Sequence, residues 1–310
     1  MQNEKFSFSS LEPGSMKNIG VSCGVSLYFT NSSTGAHGFA ISFNNAEKPS
    51  VPSCNGIKVY NAVSGKTKWL CFELIAPYLE DVFITLCYDL AEYVKGDMSE
   101  FSCLRKIRDR FALWRNLLKA SKHEIDASIE QGYFGEMLFL QKAIIHFGEK
   151  EAVDSWAGPD KFAKDFALNN TWYEVKTVAD SAEKITISSL NQLDDHNPGH
   201  LVIVFLEKKP VDSGDPTITG IINSILGSIE DPEIRDQFIR KLESAGISLA
   251  TQPRFSFLER GIQLYRVDEN FPRLTIADKK FDEIVDIKYS LFIGGLTRFK
   301  EDEEDAFNTK

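Results

Sequence analysis

The stretch Asp165-Phe166-Ala167-Leu168-Asn169-Asn170-Thr171-Trp172-Tyr173-Glu174-Val175-Lys176 constrains this chain more than any other. Two strand-like runs flank Asn169-Asn170, and Asn tolerates the positive φ that a two-residue hairpin turn requires. Pairing Leu168 with Thr171 carries the register back so that Asp165 falls opposite Glu174. Lys176 and Trp172, each two residues from Glu174, share its face. Opposed carboxylates at ~5 Å repel and weaken a sheet, so a purely structural hairpin gains nothing from this choice. A divalent cation between them reverses the sign, because Mg²⁺ prefers one or two carboxylates plus substrate phosphate. The Lys176 ammonium is then placed to orient or help deprotonate a water and to stabilise charge at phosphorus. This is a layout for phosphodiester hydrolysis.

A further acid precedes the hairpin in Gly132-Tyr133-Phe134-Gly135-Glu136. Glu136 has Leu140, Ala143 and Phe147 at helical spacing, an apolar stripe on which a carboxylate is costly without a partner. The two glycines let this helix approach neighbouring backbone closely. The helix is predicted over 133–147 with Gly148 as its stop. Strands follow near 165–168, 171–178 and 184–188, then a short helix over 189–194 and a fully apolar strand at 201–206. The order is αβββαβ, an α/β (α+β) core with a mixed sheet. Before it, residues 20–75 read as short antiparallel strands, followed by helices from Tyr78 and over 100–122. After it come helices near 217–228 and 231–244 and strands at 261–267 and 284–291. The expected division is a β-rich N-terminal domain ending in helices (1–128), the core (129–210) and a helical plus β C-terminal region (211–310). The acidic run Glu301 to Asp305 is expected to be a disordered, solvated tail.

With a net charge of −10, the chain is not built to coat nucleic acid by bulk attraction, so polyanion contact must be local. One local strip exists. Arg105, Arg108, Arg115, Lys119 and Lys122 fall within about a 100° stripe of the second helix, a solvated face in the plainer reading and a phosphate-facing one in the sharper. Five cysteines without a C-x-x-C pair fit free thiols. The polar N-terminus and short apolar runs argue against a signal peptide or membrane span, and a cytoplasmic protein is expected. His196 and His200 have zinc-like spacing, but Asn197-Pro198-Gly199 breaks the helix they would need. Ser188 and Ser189 read as a helix N-cap, and Gln192 either leans toward the site or lies on a helix surface. Trp156 and Trp172 suit packing more than base stacking.

Gly132 to Glu136, Trp156-Ala157-Gly158-Pro159, Asp165-Phe166, Glu174-Val175-Lys176-Thr177 and Ile187 to Leu193 together resemble the PD-(D/E)xK nuclease superfamily, and within it a bacterial family of PD-(D/E)xK motif proteins. The similarity extends to the Trp69 region, Trp114 and Asn270-Phe271-Pro272-Arg273-Leu274. The resemblance implies a restriction-endonuclease-like core and Mg²⁺-dependent cleavage of DNA, with Mn²⁺ able to substitute, in bacterial restriction or antiviral defence. Carried over by position, Asp165, Glu174 and Glu136 are the metal ligands and Lys176 the catalytic lysine. The literal Pro-Asp dipeptide is Pro159-Asp160, but only Asp165 reaches the hairpin position facing Glu174. No G-x-x-x-x-G-K-[ST] loop is present, so an energy-dependent step needs a partner ATPase among other subunits. A double-strand cut needs two sites, which favours a homodimer or hetero-complex. Two alternatives stay open: a nuclease-fold module without activity that positions DNA in a larger complex, and a phosphoesterase acting on nucleotides.

Overall fold

The computed structural model describes residues 6–119, 126–158, 164–168, 171–278, 280–281, 283–284 and 286–307. The chain divides into two compact units, one formed by residues 1–122 with 246–252, the other by 123–245 with 253–310. The second unit therefore takes in both the αβββαβ segment and most of the chain beyond residue 210.

The first unit is an antiparallel sheet of β1 (Ser15–Asn18), β2 (Ser26–Asn31), β3 (His37–Phe43), β4 (Ile57–Ser64) and β5 (Thr67–Leu74), in the order β1-β2-β3-β5-β4. Period-two alternation buries Leu27, Phe29, Phe39, Ile41, Phe43, Leu70 and Phe72 on one face. Helices α1 (Glu80–Tyr93) and α2 (Glu100–Leu117) supply further buried side chains, among them Phe83, Leu90, Ile107 and Phe111. The Phe72 and Phe111 rings meet edge-on at 4.9 Å. Each such burial contributes about 1.5–3 kcal/mol. One ion pair is enclosed in this unit: Arg110 Nε and Nη2 donate to Asp89 at 2.6 and 2.8 Å, and Trp114 Nε1 donates to the same carboxylate at 2.7 Å. Arg105, Arg108 and Lys119 are exposed and Arg115 is half-buried, while Lys122 lies outside the described residues.

In the second unit, α3 (Ala127–Phe147) begins a turn and a half earlier than its apolar spacing predicts, because Asp126 caps it by accepting from Ser128 N at 2.8 Å. It ends at Gly148, whose φ of 86° suits glycine. Next come α4 (Glu149–Ser155), β6 (Phe166–Leu168), β7 (Thr171–Ala179), β8 (Lys184–Ile187), β9 (Gly199–Lys209), α5 (Ile218–Ser228), α6 (Pro232–Ser244), β10 (Ser256–Val267), β11 (Tyr289–Phe292), β12 (Lys300–Glu301) and α7 (Glu303–Phe307). The main sheet runs β12-β10-β9-β7-β6, with β7 parallel to β9 and the other pairs antiparallel. It is mixed, as expected. The strand β8 leaves this sheet to pair with β11, and its Ile185 and Ile187 pack with Trp172, Leu201 and Ile203. Residues 189–194 form only a short 3-10 turn, Leu190–Gln192, and Ser189 makes no side-chain capping bond, contrary to the N-cap expectation.

The acidic C-terminus is ordered, which corrects the reading of it as a disordered tail. Ala306 and Phe307 are buried, and the Phe307 ring lies among Phe139, His146, Phe147 and Tyr173. Two of its acids have cationic or imidazole partners, Glu303 with Lys142 at 3.0 Å and Glu301 with His200 at 3.0 Å. Apolar anchoring at two residues outweighs the charge run.

Candidate active site

The hairpin strands pair in the expected register, Phe166 with Tyr173, Ala167 with Trp172 and Leu168 with Thr171, while Asn169 and Asn170 lie outside the described residues. Asp165, one residue before β6, turns a carboxylate oxygen onto the backbone of β7 and accepts from Val175 N at 2.7 Å. Because β6 is only three residues long, β7 from Glu174 onward runs past it. There the chain opens a cleft of about 370 Å³ lined by Ser128, Gln131, Gly132, Glu136, Asp165, Glu174, Val175, Lys176, Thr177 and Gln192. Asp160 lies outside the described residues.

Helix α3 brings Glu136 to this cleft because Gly135 lets it lie against β7. A Cβ on Gly135 would fall 2.1 Å from Thr177 Oγ1, so any side chain there would push the helix away. Gly132 has open space around it and meets no such constraint. Within the cleft Lys176 Nζ donates to Glu174 Oε1 at 2.7 Å, and Trp156 Nε1 donates to Glu136 Oε2 at 2.8 Å. Burial and the neighbouring Asp165 carboxylate push Glu174 up to about 8, overcoming the Lys176 ammonium beside it. Burial, then Asp165, does the same to Glu136, also to about 8, against the opposing Trp156 hydrogen bond. Asp165 is raised by burial, partly offset by Val175 N–H and Lys176. Three acids thus face one lysine in a poorly solvated cleft. Glu136 and Glu174 therefore hold their protons near neutral pH, and ionising them there is costly.

A scan against protein-family models matches residues 19–294 to the family described as "Putative PD-(D/E)XK family member, (DUF4420)". The chain belongs to this family. PD-(D/E)XK proteins are generally nucleases and typically use divalent metals. Neither the search of curated proteins nor that of solved structures returns a match.

The donor set suits a hard divalent cation in chemistry: carboxylate oxygens whose charge the protein itself does not neutralise. Their present arrangement is not a finished cage, since no group of three or more His, Cys, Asp or Glu among the described residues closes into a metal cluster. Oxygens of Glu136, Asp165 and Glu174 are instead hydrogen-bonded to Trp156, Val175 and Lys176.

Gln192 lines the cleft, with its Oε1 taken by Ser188 N at 2.7 Å. Trp172 does not line it: its indole donates to Asn197 O at 3.0 Å, and its ring fills the space that a Cβ on Gly199 would need. Sequence reasoning missed the contacts of three residues. Lys164 is buried over the Trp172 ring at 4.0 Å, donates to Asn191 O and Asp194 O, and is lowered to about 8 by burial. It ties the residue before Asp165 to the turn that carries Gln192. Thr177 places a hydroxyl without a hydrogen-bond partner in the cleft wall. Trp156 is fully buried as the donor to Glu136. A tryptophan beside Gly158-Pro159 carried no signal of that kind, because indole donors and indole packers look alike in sequence.

Proposed function

We propose that this protein is a divalent-metal-dependent nuclease that hydrolyses DNA phosphodiester bonds, in bacterial restriction or antiviral defence alongside other subunits. The observation that carries this reading is the convergence of Glu136, Asp165, Glu174 and Lys176 on one cleft of a PD-(D/E)XK family chain. Asp165 and Glu174, with Glu136 beside them, would hold Mg²⁺, or Mn²⁺ in its place. Such an ion, when bound, offsets charge on a phosphoryl oxygen and lowers the pKa of water. Lys176, released from Glu174, would orient the attacking water by hydrogen bonding and offset charge developing at phosphorus. Ser128, Gln131, Thr177 and Gln192 add neutral hydrogen-bonding groups to the wall. Arg105, Arg108, Arg115, Lys119 and Lys122 would hold the DNA backbone by counterion release.

A second reading, a nuclease-fold module that positions DNA without cutting it, draws on the Lys176–Glu174 ion pair at 2.7 Å, which occupies a metal-ligand oxygen. Incubating the purified protein with circular and linear DNA in Mg²⁺, Mn²⁺ or EDTA separates the two. Cleavage with either metal and none in EDTA supports the nuclease, and nicked against linear products report whether two sites act together. Cleavage that persists in EDTA overturns the mechanism. Binding without cleavage, with candidate partner subunits and ATP added, favours the module.

A further inference from the structure

Both acids that approach the cleft from outside β7 are tied to one dipeptide, Trp156-Ala157. The Trp156 indole donates to Glu136 Oε2 at 2.8 Å, and Ala157 N donates to the backbone carbonyl of Asp165 at 2.9 Å. Trp156 also forms a β-bridge to Phe166. The dipeptide's backbone is itself fixed, since Lys241 of α6 donates to the carbonyls of Val153, Asp154 and Trp156. The Phe238 ring packs beside the indole, 5.8 Å away. Trp156 is fully buried, so the N–H has no water to exchange for Glu136. It binds one carboxylate oxygen of a side chain that lines the cleft.

We propose that Trp156 is a positioning residue that holds Glu136 in place for a cation and, through its backbone neighbour, keeps Asp165 in register with it. The proposal rests on the nuclease reading for the cation, and on the geometry alone for the hydrogen bond. Groups beside a metal ligand that fix its orientation typically change metal affinity by about 10- to 100-fold when removed.

In ¹H–¹⁵N spectra of the full-length protein, Trp156→Phe assigns the Trp156 indole resonance by its loss. Glu136→Ala should shift that resonance, because its hydrogen-bond acceptor is removed. An unmoved resonance overturns the contact, whether or not any metal binds. Mn²⁺ affinity, read from the free-ion electron paramagnetic resonance signal, should then weaken about 10- to 100-fold in Trp156→Phe. Phe238→Leu, which loosens the same packing but keeps the N–H, should hold the wild-type affinity. Equal weakening in both variants assigns the effect to packing and overturns positioning, as does wild-type affinity in Trp156→Phe. A wild-type protein that binds no Mn²⁺ defeats the nuclease reading, and the indole resonance still decides the contact.

Discussion

Two buried tryptophan–carboxylate contacts in this molecule have almost the same length and opposite surroundings. In the first unit Trp114 donates to Asp89 at 2.7 Å, and Arg110 closes on the same carboxylate through two further bonds. In the second unit Trp156 donates to Glu136 at 2.8 Å, but the neighbours that matter electrostatically are Asp165 and Glu174, with one lysine to offset them. A structural acid is surrounded until its charge is neutralised. The cleft acids are left under-neutralised, and burial then makes them retain protons near neutral pH. Such an imbalance costs stability and, on the proposed nuclease reading, would favour an external cation.

The largest effect should come from removing chemistry without removing packing. Lys176→Ala is expected to lower cleavage by about 10²- to 10⁴-fold while circular dichroism and DNA binding persist, measured as single-turnover cutting of plasmid. Cutting that survives would remove Lys176 from the mechanism. At the structural acid the sign of the readout changes. Asp89→Ala removes the carboxylate that a buried guanidinium and an indole N–H share, and should destabilise the first unit by about 3–5 kcal/mol in denaturant unfolding. A loss well under 1 kcal/mol would mean that the two carboxylates are less different than their surroundings indicate.

Glu136→Gln is the counterpart in the cleft, since the amide oxygen still accepts from Trp156 while the charge is gone. It should raise the melting temperature in EDTA at alkaline pH by a few degrees and change little in acid, and a drop at alkaline pH would contradict the charge excess. The smallest and most graded effect concerns the strip on α2. Replacing Arg105, Arg108, Arg115, Lys119 and Lys122 by Gln should flatten log K against log salt by about 0.9 for each duplex phosphate that these side chains neutralise. An unchanged slope would assign the strip to solvent.

What was legible in the sequence, and what was not, divides along the range of the interactions. The pairing of Leu168 with Thr171 was legible, and alternation and helical spacing marked the sheet of the first unit and most helices, because these are local signals. The convergence of Glu136 with Asp165 and Glu174 was inferable from an unpaired acid on an apolar stripe. The route of the C-terminus was not, because two residues, Ala306 and Phe307, outweigh five acids only once Phe139 and Tyr173 are in place. Nor was the departure of β8 to β11, nor the Trp156 and Lys164 contacts, which join residues 20 to 30 apart or more through side chains of ordinary type.

The most direct test of the charge excess is thermal unfolding of the full-length protein across pH, with and without Mn²⁺. Glu136 and Glu174 have folded values near 8 against an ordinary 4.5, so their contribution is fully present below 4.5 and is lost as pH rises through 8. In EDTA, stability should therefore fall across that window. Mn²⁺ should restore it increasingly toward the alkaline end, where the carboxylates are free of protons, and should do so less in Asp165→Asn. A flat profile in EDTA, or a profile that Mn²⁺ leaves untouched, would contradict the account.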